Sequence, residues 1–305
     1  MPMIERIIAI SSMDLSENLY KISRNFLRDE LIVSVKNFGI LRAPVVFPFN
    51  GSFRLLTGYN RIEASLRARL ESIPVCICEG PSVEVLAREA LLKSFNGEIG
   101  PTGKLRLLSL LKNNFCADED FIMKTCRVGL GLPERVFDKV WLEKFDKLEQ
   151  PVKDYFDSKD APFNLIDMYM NLPPYLAQDL AQQLTFFPLR INIFRKIVEM
   201  LSDIARRGEN WVFPDVRLSG RQDEQELLGM VFRKRYPEYS AMKKRSDEII
   251  SALSAAGSEI DFPEFFEGGH LSVKITLSKR DGAKALAAKA GRLDERLLQE
   301  LLDML

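Results

Sequence analysis

The run Thr57-Gly58-Tyr59-Asn60-Arg61-Ile62-Glu63-Ala64 is the stretch of this chain best equipped for chemistry. A glycine ends an apolar segment, and a helical pattern starts about two residues later. Backbone N–H groups at a helix start lack intrahelical partners and attract anions. Glycine lets a ligand approach the backbone closely. Arg61, in the first turn, carries a forked cation suited to phosphate oxygens. Ala64 leaves room for the helix to pack tightly on a sheet. Taken alone, Gly-x-x-Arg-x-x-Ala also describes an ordinary strand–turn–helix junction with a surface arginine. Three carboxylates near the run, Asp29, Glu30 and Glu63, could act as a base or as magnesium ligands, and each equally suits a solvated surface.

Composition narrows the chemistry. His270 is the only histidine, which removes most histidine-based catalysis and most histidine-containing metal sites. Cys76 and Cys78 share a face of any strand that holds them, while Cys116 and Cys126 lie far along the chain. Neither pair has zinc spacing, so buried thiols and no metal are expected. The 43 basic and 43 acidic residues cancel, so a nucleic-acid surface must be a local patch. The start Met1-Pro2-Met3-Ile4-Glu5-Arg6 lacks the charged region and apolar core of a signal peptide. No apolar run is long enough to span a bilayer. A cytoplasmic protein with no membrane partner is expected.

The elements that must position the glycine run can be read on either side of it. Residues 4–10 form a short apolar strand, and 16–37 read as mostly helical from Leu19, Ile22, Phe26 and Leu31. Gly39 suits a left-handed helix stop. Residues 43–47 and 53–56 are strands joined by Asn50-Gly51, a strong hairpin signal. A helix over 61–70 and a strand over 73–77 complete a small α/β module. From Gly80 to about 205 the pattern is all helical, with helices at 83–95, 104–115, 118–128, 134–145, 176–184 and 189–204. A polar stretch at 206–225 marks a boundary. Helices at 226–236, 242–255, 281–290 and 294–305 then flank an alternating strand at 271–277. The expected class is α+β, with domains at 1–80, 81–205 and 206–305.

Over about fifty residues the order and spacing resemble the ParB/sulfiredoxin-like superfamily. The opening is Leu31-Ile32-Val33-Ser34-Val35, then Gly39-Ile40 and Pro44-Val45. The glycine-to-arginine run follows, and Leu70-Glu71-Ser72-Ile73-Pro74-Val75 closes the segment. The resemblance implies a ParB/sulfiredoxin-like N-terminal domain whose glycine-to-arginine motif contacts nucleotide phosphates. It carries that role to Gly58, Asn60 and Arg61, with Thr57 beside them and Gly39-Ile40 as the facing turn. CTP or ATP is the implied ligand, with magnesium as its companion ion. Departures separate the branches. Tyr59 stands where sulfiredoxin has its reactive cysteine, and Asn60 replaces the following histidine. Thr57 replaces the aspartate of the free-serine kinase branch. Chromosome and plasmid partition proteins of the ParB type fit over the longest stretch. There Gly100-Pro101 keeps the proline turn that opens the helical domain, but Leu92-Lys93 replaces a glutamate–asparagine pair associated with CTP hydrolysis and clamp closure. The resemblance therefore implies nucleotide binding without efficient hydrolysis, and Lys93 reads first as a solvated helix lysine.

The same resemblance implies DNA binding. Residues 119–127, a Gly129-Leu130-Gly131 turn and 133–145 resemble a helix-turn-helix whose reading helix starts at Pro133-Glu134. Its candidate DNA contacts are Arg135 and Lys139, offset by Glu134 and Asp138. A more basic region holds Arg206, Arg207, Arg217, Arg221, Arg233, Lys234, Arg235, Lys243, Lys244 and Arg245, interleaved with Tyr236 and Tyr239. A solvated helix face explains these equally well. The leucine-rich C-terminal helix could close a core or form a homodimer seam, as partition proteins dimerise through that region. Two other functions stay open: a small-molecule kinase or nuclease of the superfamily, and a non-catalytic protein-interaction adaptor on a degenerate scaffold.

Overall fold

A computed structural model of the chain describes residues 4–23, 27–209, 211, 213, 220–254, 258–263, 265–277 and 283–305. Arg217 lies outside them, as do Phe26 and parts of the expected elements at 16–37, 242–255 and 281–290. Two compact units emerge, Met1–Glu224 and Gln225–Leu305. The first opens with strands β1 (Ile4–Ala9) and β2 (Met13–Asp14), helix α1 (Asp29–Phe38), strands β3 (Val45–Phe49) and β4 (Ser52–Thr57), helix α2 (Tyr59–Arg67) and strand β5 (Ser72–Ile77). Helices α3 (Val83–Phe95), α4 (Pro101–Asn113), α5 (Glu119–Ile122), α6 (Lys139–Asp146), α7 (Gln150–Ser158), α8 (Phe163–Met170), α9 (Pro174–Phe186) and α10 (Ile191–Arg206) follow. The chain is thus mixed α/β, as expected.

The strands form one sheet in the order β1-β5-β3-β4-β2. β3 and β4 are antiparallel because Asn50 (φ 46°) and Gly51 (φ 78°) both take the left-handed conformation that a two-residue hairpin demands. β5 returns parallel to β3, and β1 pairs antiparallel to β5. Alternation fixes which face is buried: Ile73 and Val75 of β5 meet Val46, Leu55 and Ile62, with Ile10 and Met13 closing the cluster. Burying a side chain such as Leu55 stabilises the fold by roughly 1.5–3 kcal/mol. The helical part packs around Phe156, Phe194 and Tyr169, whose rings lie 5.6–6.1 Å apart. Tyr155 and Tyr169 satisfy their hydroxyls on the carbonyls of Leu189 and Ala177.

Two helices expected from the sequence are cut short. Among the described residues of 16–37, helix begins only at Asp29, in Asp29–Phe38. Residues 18–23 run irregularly, because tertiary contacts take the groups a helix would use. Arg106 of α4 donates to the carbonyls of Asn18 and Leu19. Tyr20 packs edge-on against Phe47, and Gly103 of α4 has no Cβ, so Ile22 can seat its carbonyl there. The expected helix over 134–145 is also interrupted. Residues Glu134–Phe137 make a 3-10 turn and Asp138 is extended, its carboxylate accepting from the Trp141 N–H at 2.9 Å to start α6. Before it, α5 continues as a π-helical stretch, Met123–Gly129.

Helix α11 (Arg221–Arg235) begins in the first unit and continues into the second. The second unit also contains α12 (Pro237–Ser254), β6 (Ser258–Asp261), β7 (Ser272–Ile275), α13 (Ala283–Ala290) and α14 (Glu295–Asp303). Its small core joins Ile249, Leu253 and Leu301, with Leu271, Leu293, Leu297 and Leu298 packed on it. β6 and β7 pair antiparallel, Ile260 opposite Val273. β6 lacks an apolar alternation and is not apparent in the sequence. Val273 and Leu277, on the apolar side of the alternating strand expected at 271–277, are exposed. Among the described residues, no helix is long and apolar enough to cross a membrane.

Candidate functional site

The site lies where β4 ends and β3 begins. Gly58 follows β4 in the left-handed conformation (φ 99°) and serves as the N-cap of α2, with no side chain capping the helix. The N–H groups of Arg61 and Ile62 turn back to the Gly58 carbonyl, at 2.9 and 3.1 Å. Those of Tyr59 and Asn60 have no capping side chain. Glycine is required here twice over. Its φ disfavours any other residue, and a Cβ would sit 2.7 Å from the Cβ of Pro44. Gly39 ends α1 at φ 70°, donating to the Val35 carbonyl at 2.9 Å. The chain from Gly39 to Pro44 then runs into β3.

A cleft of about 1030 Å³ opens between α1, these two turns and α3. Gly39, Ile40, Gly58, Asn60 and Arg61, five of the six residues assigned to the ligand on sequence grounds, line it together. The sixth, Thr57, is buried beneath the Gly58 turn, and its Oγ1 has no hydrogen-bond partner. Asn60 accepts a hydrogen bond from Ser23 at 3.2 Å. Glu30 lines the cleft as well. Glu63 does not, since it faces outward and pairs with Arg67 at 2.7 Å.

Sequence reasoning missed the electrostatic centre of the cleft. Glu89 of α3, its side chain only 7% exposed, accepts from Arg42 at 2.6 Å and from Arg61 at 3.1 Å. Arg61 also donates to the carbonyls of Arg42 and Ala43. This single guanidinium therefore joins α2, the Gly39–Pro44 connection and α3. Burial pulls its pKa below the ordinary arginine value, and Glu89 opposes that shift. Lys93, one turn after Glu89, lines the same cleft and is not the solvated residue the sequence suggests. Burial lowers its pKa too, against the attraction of Glu89. The signal for this cluster was present: positions 89 and 93 of an expected helix share a face.

Tyr59 packs against the core of the sheet. Its hydroxyl donates to the Leu55 carbonyl at 3.0 Å, and burial pushes its pKa up to about 12. The Cys76 thiol is also shifted up, by burial and then Glu5, with Arg61 acting in the opposite sense. Magnesium fits the cleft poorly. Glu89, its one buried carboxylate, has both oxygens engaged by guanidiniums, and Lys93 brings positive charge to the same place. Among the described residues no group of three His, Cys, Asp or Glu could hold a metal ion.

The candidate DNA contacts belong to both units. Arg135, on the 3-10 turn, lies 3.7 Å from Asp167, and Lys139, at the start of α6, lies 3.9 Å from Glu143. Arg233, Lys234 and Arg235 end α11, with Arg235 over the Tyr236 ring. On α12, Lys243 pairs with Asp247 at 3.1 Å, and Arg245 forms a two-bond fork with Glu300 of α14 at 2.6 and 2.8 Å. That fork serves the packing of the second unit. Arg233 and Lys244 are exposed.

No family model matches the chain, and no curated protein matches it in sequence. Solved structures do. The C-terminally truncated chromosome-partitioning protein ParB from Caulobacter crescentus, complexed with CTP-gamma-S, is 18% identical, covering 59% of this chain and 98% of its own, at a TM-score of 0.27. The same protein complexed to the centromeric parS site is 16% identical, with coverage of 64% and 98% and a TM-score of 0.31. A Pnob8-like ParB-N domain is 15% identical, with coverage of 80% and 97% and a TM-score of 0.39.

Proposed function

We propose that the cleft between α1, the Gly58 turn and α3 binds the phosphate groups of a nucleotide and holds it without efficient hydrolysis. One observation carries the reading: two positive-φ glycine turns and the uncapped start of α2 converge on one cleft that also holds Arg28, Arg42, Arg61 and Lys93. Backbone donors at a helix start and convergent cations are what phosphate oxygens require. The absence of turnover follows from Glu89. As the buried carboxylate it would be the natural base, yet its oxygens are committed to two guanidiniums. CTP is the first nucleotide to test, from the sequence resemblance to partition proteins.

Calorimetric titration with CTP, ATP, GTP and UTP tests the reading. Saturable binding of at least one of them, competed by inorganic tripolyphosphate, is expected. Ser34→Trp, which fills the cleft from α1, should abolish binding while leaving the melting temperature near that of wild type. Absence of binding by all four nucleotides refutes the proposal. DNA association, implied by the same resemblance, would fall to exposed cations such as Arg233 and Lys244. It would weaken steeply with salt because each phosphate contact releases counterions.

A further inference from the structure

The cations of the cleft differ in what they already hold. Arg42 and Arg61 share Glu89, and Arg61 is further bound to two carbonyls. Lys93 stands one turn along α3 among Glu89, Glu98, Arg61 and Arg42, and it forms no hydrogen bond or ion pair with any described residue. An ammonium has three donors and no acceptor, so only an oxygen-rich partner satisfies it. Withdrawing such a group from water without a partner is unfavourable, and the cleft does withdraw it, since burial dominates its titration. Lys93 is therefore poised for an acceptor that the described residues do not supply.

The same geometry disfavours a divalent cation. Magnesium in nucleotide sites is usually held by one or two carboxylates together with the phosphates. Here the buried carboxylate is saturated by guanidiniums, and Lys93 follows it one helical turn along α3 in the same cleft. We propose that Lys93 binds the ligand's phosphate directly and supplies the positive charge that a metal would bring, so that the cleft takes its nucleotide or other phosphate ester free of a divalent cation. This rests on the phosphate-binding reading of the cleft and specifies the form of ligand that enters it.

The test titrates the full chain with CTP, and separately with inorganic tripolyphosphate, in excess magnesium and in excess EDTA. Wild type should bind in EDTA within about threefold of its affinity in magnesium, a difference below about 0.7 kcal/mol. Lys93→Met should weaken binding in EDTA by about tenfold or more, equivalent to about 1.4 kcal/mol, and Lys93→Arg should recover most of it. The melting temperature of Lys93→Met should not fall, because the lysine holds no hydrogen bond or ion pair with any described residue. If that variant fails to fold, Lys93→Gln replaces it. Wild type that binds only with magnesium overturns the inference and leaves the nucleotide reading standing. So does Lys93→Met binding as wild type does. Wild type that binds neither probe in either buffer overturns both.

Discussion

Replacing Glu89 with glutamine should move stability and ligand affinity in opposite directions. The Glu89 and Arg61 side chains are 7% and 16% exposed, so their pair is largely shielded from water; Arg42, at 53%, is not, and its share is discounted. Removing one partner of a buried pair costs about 3–5 kcal/mol when the remaining charge is left with nothing. Arg61 keeps two carbonyl acceptors and glutamine keeps one oxygen, so about 2–3 kcal/mol is the expected loss. For a unit of this size that lowers the melting temperature by roughly 4–12 °C. The effect on the ligand has the other sign. A carboxylate about 6 Å from a bound phosphate repels it by about 2.8 kcal/mol at an effective dielectric near 20, and roughly half of that in an open cleft. Glu89→Gln should therefore bind CTP about tenfold more tightly than wild type while melting earlier. Thermal melts monitored by circular dichroism, paired with calorimetric titration, read both quantities on one preparation. A variant that loses stability and affinity together would refute the reasoning, because Glu89 would then be organising the cations for the ligand and not competing with it.

Gly58→Ala should destabilise the first unit by about 2–4 kcal/mol, combining a disfavoured positive φ with the contact to Pro44, and chemical denaturation measures the loss. Gly103→Ala should be at least as damaging, since its Cβ would meet the Ile22 carbonyl at 2.1 Å; loss of soluble protein or of the cooperative transition is the expected result. The hydrogen bonds of Ser16 and then Arg54 hold the Asp14 carboxyl down at about 2, below its ordinary 3.8. A depressed carboxylate contributes stability that is fully present above its unfolded value and is lost as pH falls through its folded value. The denaturant midpoint should fall between about pH 4 and pH 2, and Asp14→Asn should flatten that part of the profile.

The sequence made turns legible and long-range fastenings illegible. Asn50-Gly51, Gly58 and Gly39 announce themselves because their backbone angles exclude most other residues, so a local pattern suffices. Helix α3 was readable from 83 to 95, since nothing outside it rewrites its backbone bonds. Residues 18–23 failed as a helix because Arg106 and Gly103, more than eighty residues away, claim their carbonyls. Asp138 broke an expected helix by capping the next one, a role that a run of helix-compatible residues does not advertise. In the cleft, the glycine-to-arginine motif was visible as a motif. The commitment of Arg61 to Glu89 was not, because it is a contact between elements distant in sequence.

The seating of residues 18–23 on α4 has a mechanical side. One end of this stretch is held by Arg106, and its Ile22 carbonyl rests against Gly103, where no side chain can yield. The next residue, Ser23, holds the side chain of Asn60 in the cleft. Bound carbonyls slide poorly, so the stretch works as a short, stiff tie rod between the cleft wall and the helical part of the first unit. A ligand that draws on Asn60 loads α4 through it, and slower amide exchange in α4 on ligand binding would record that load.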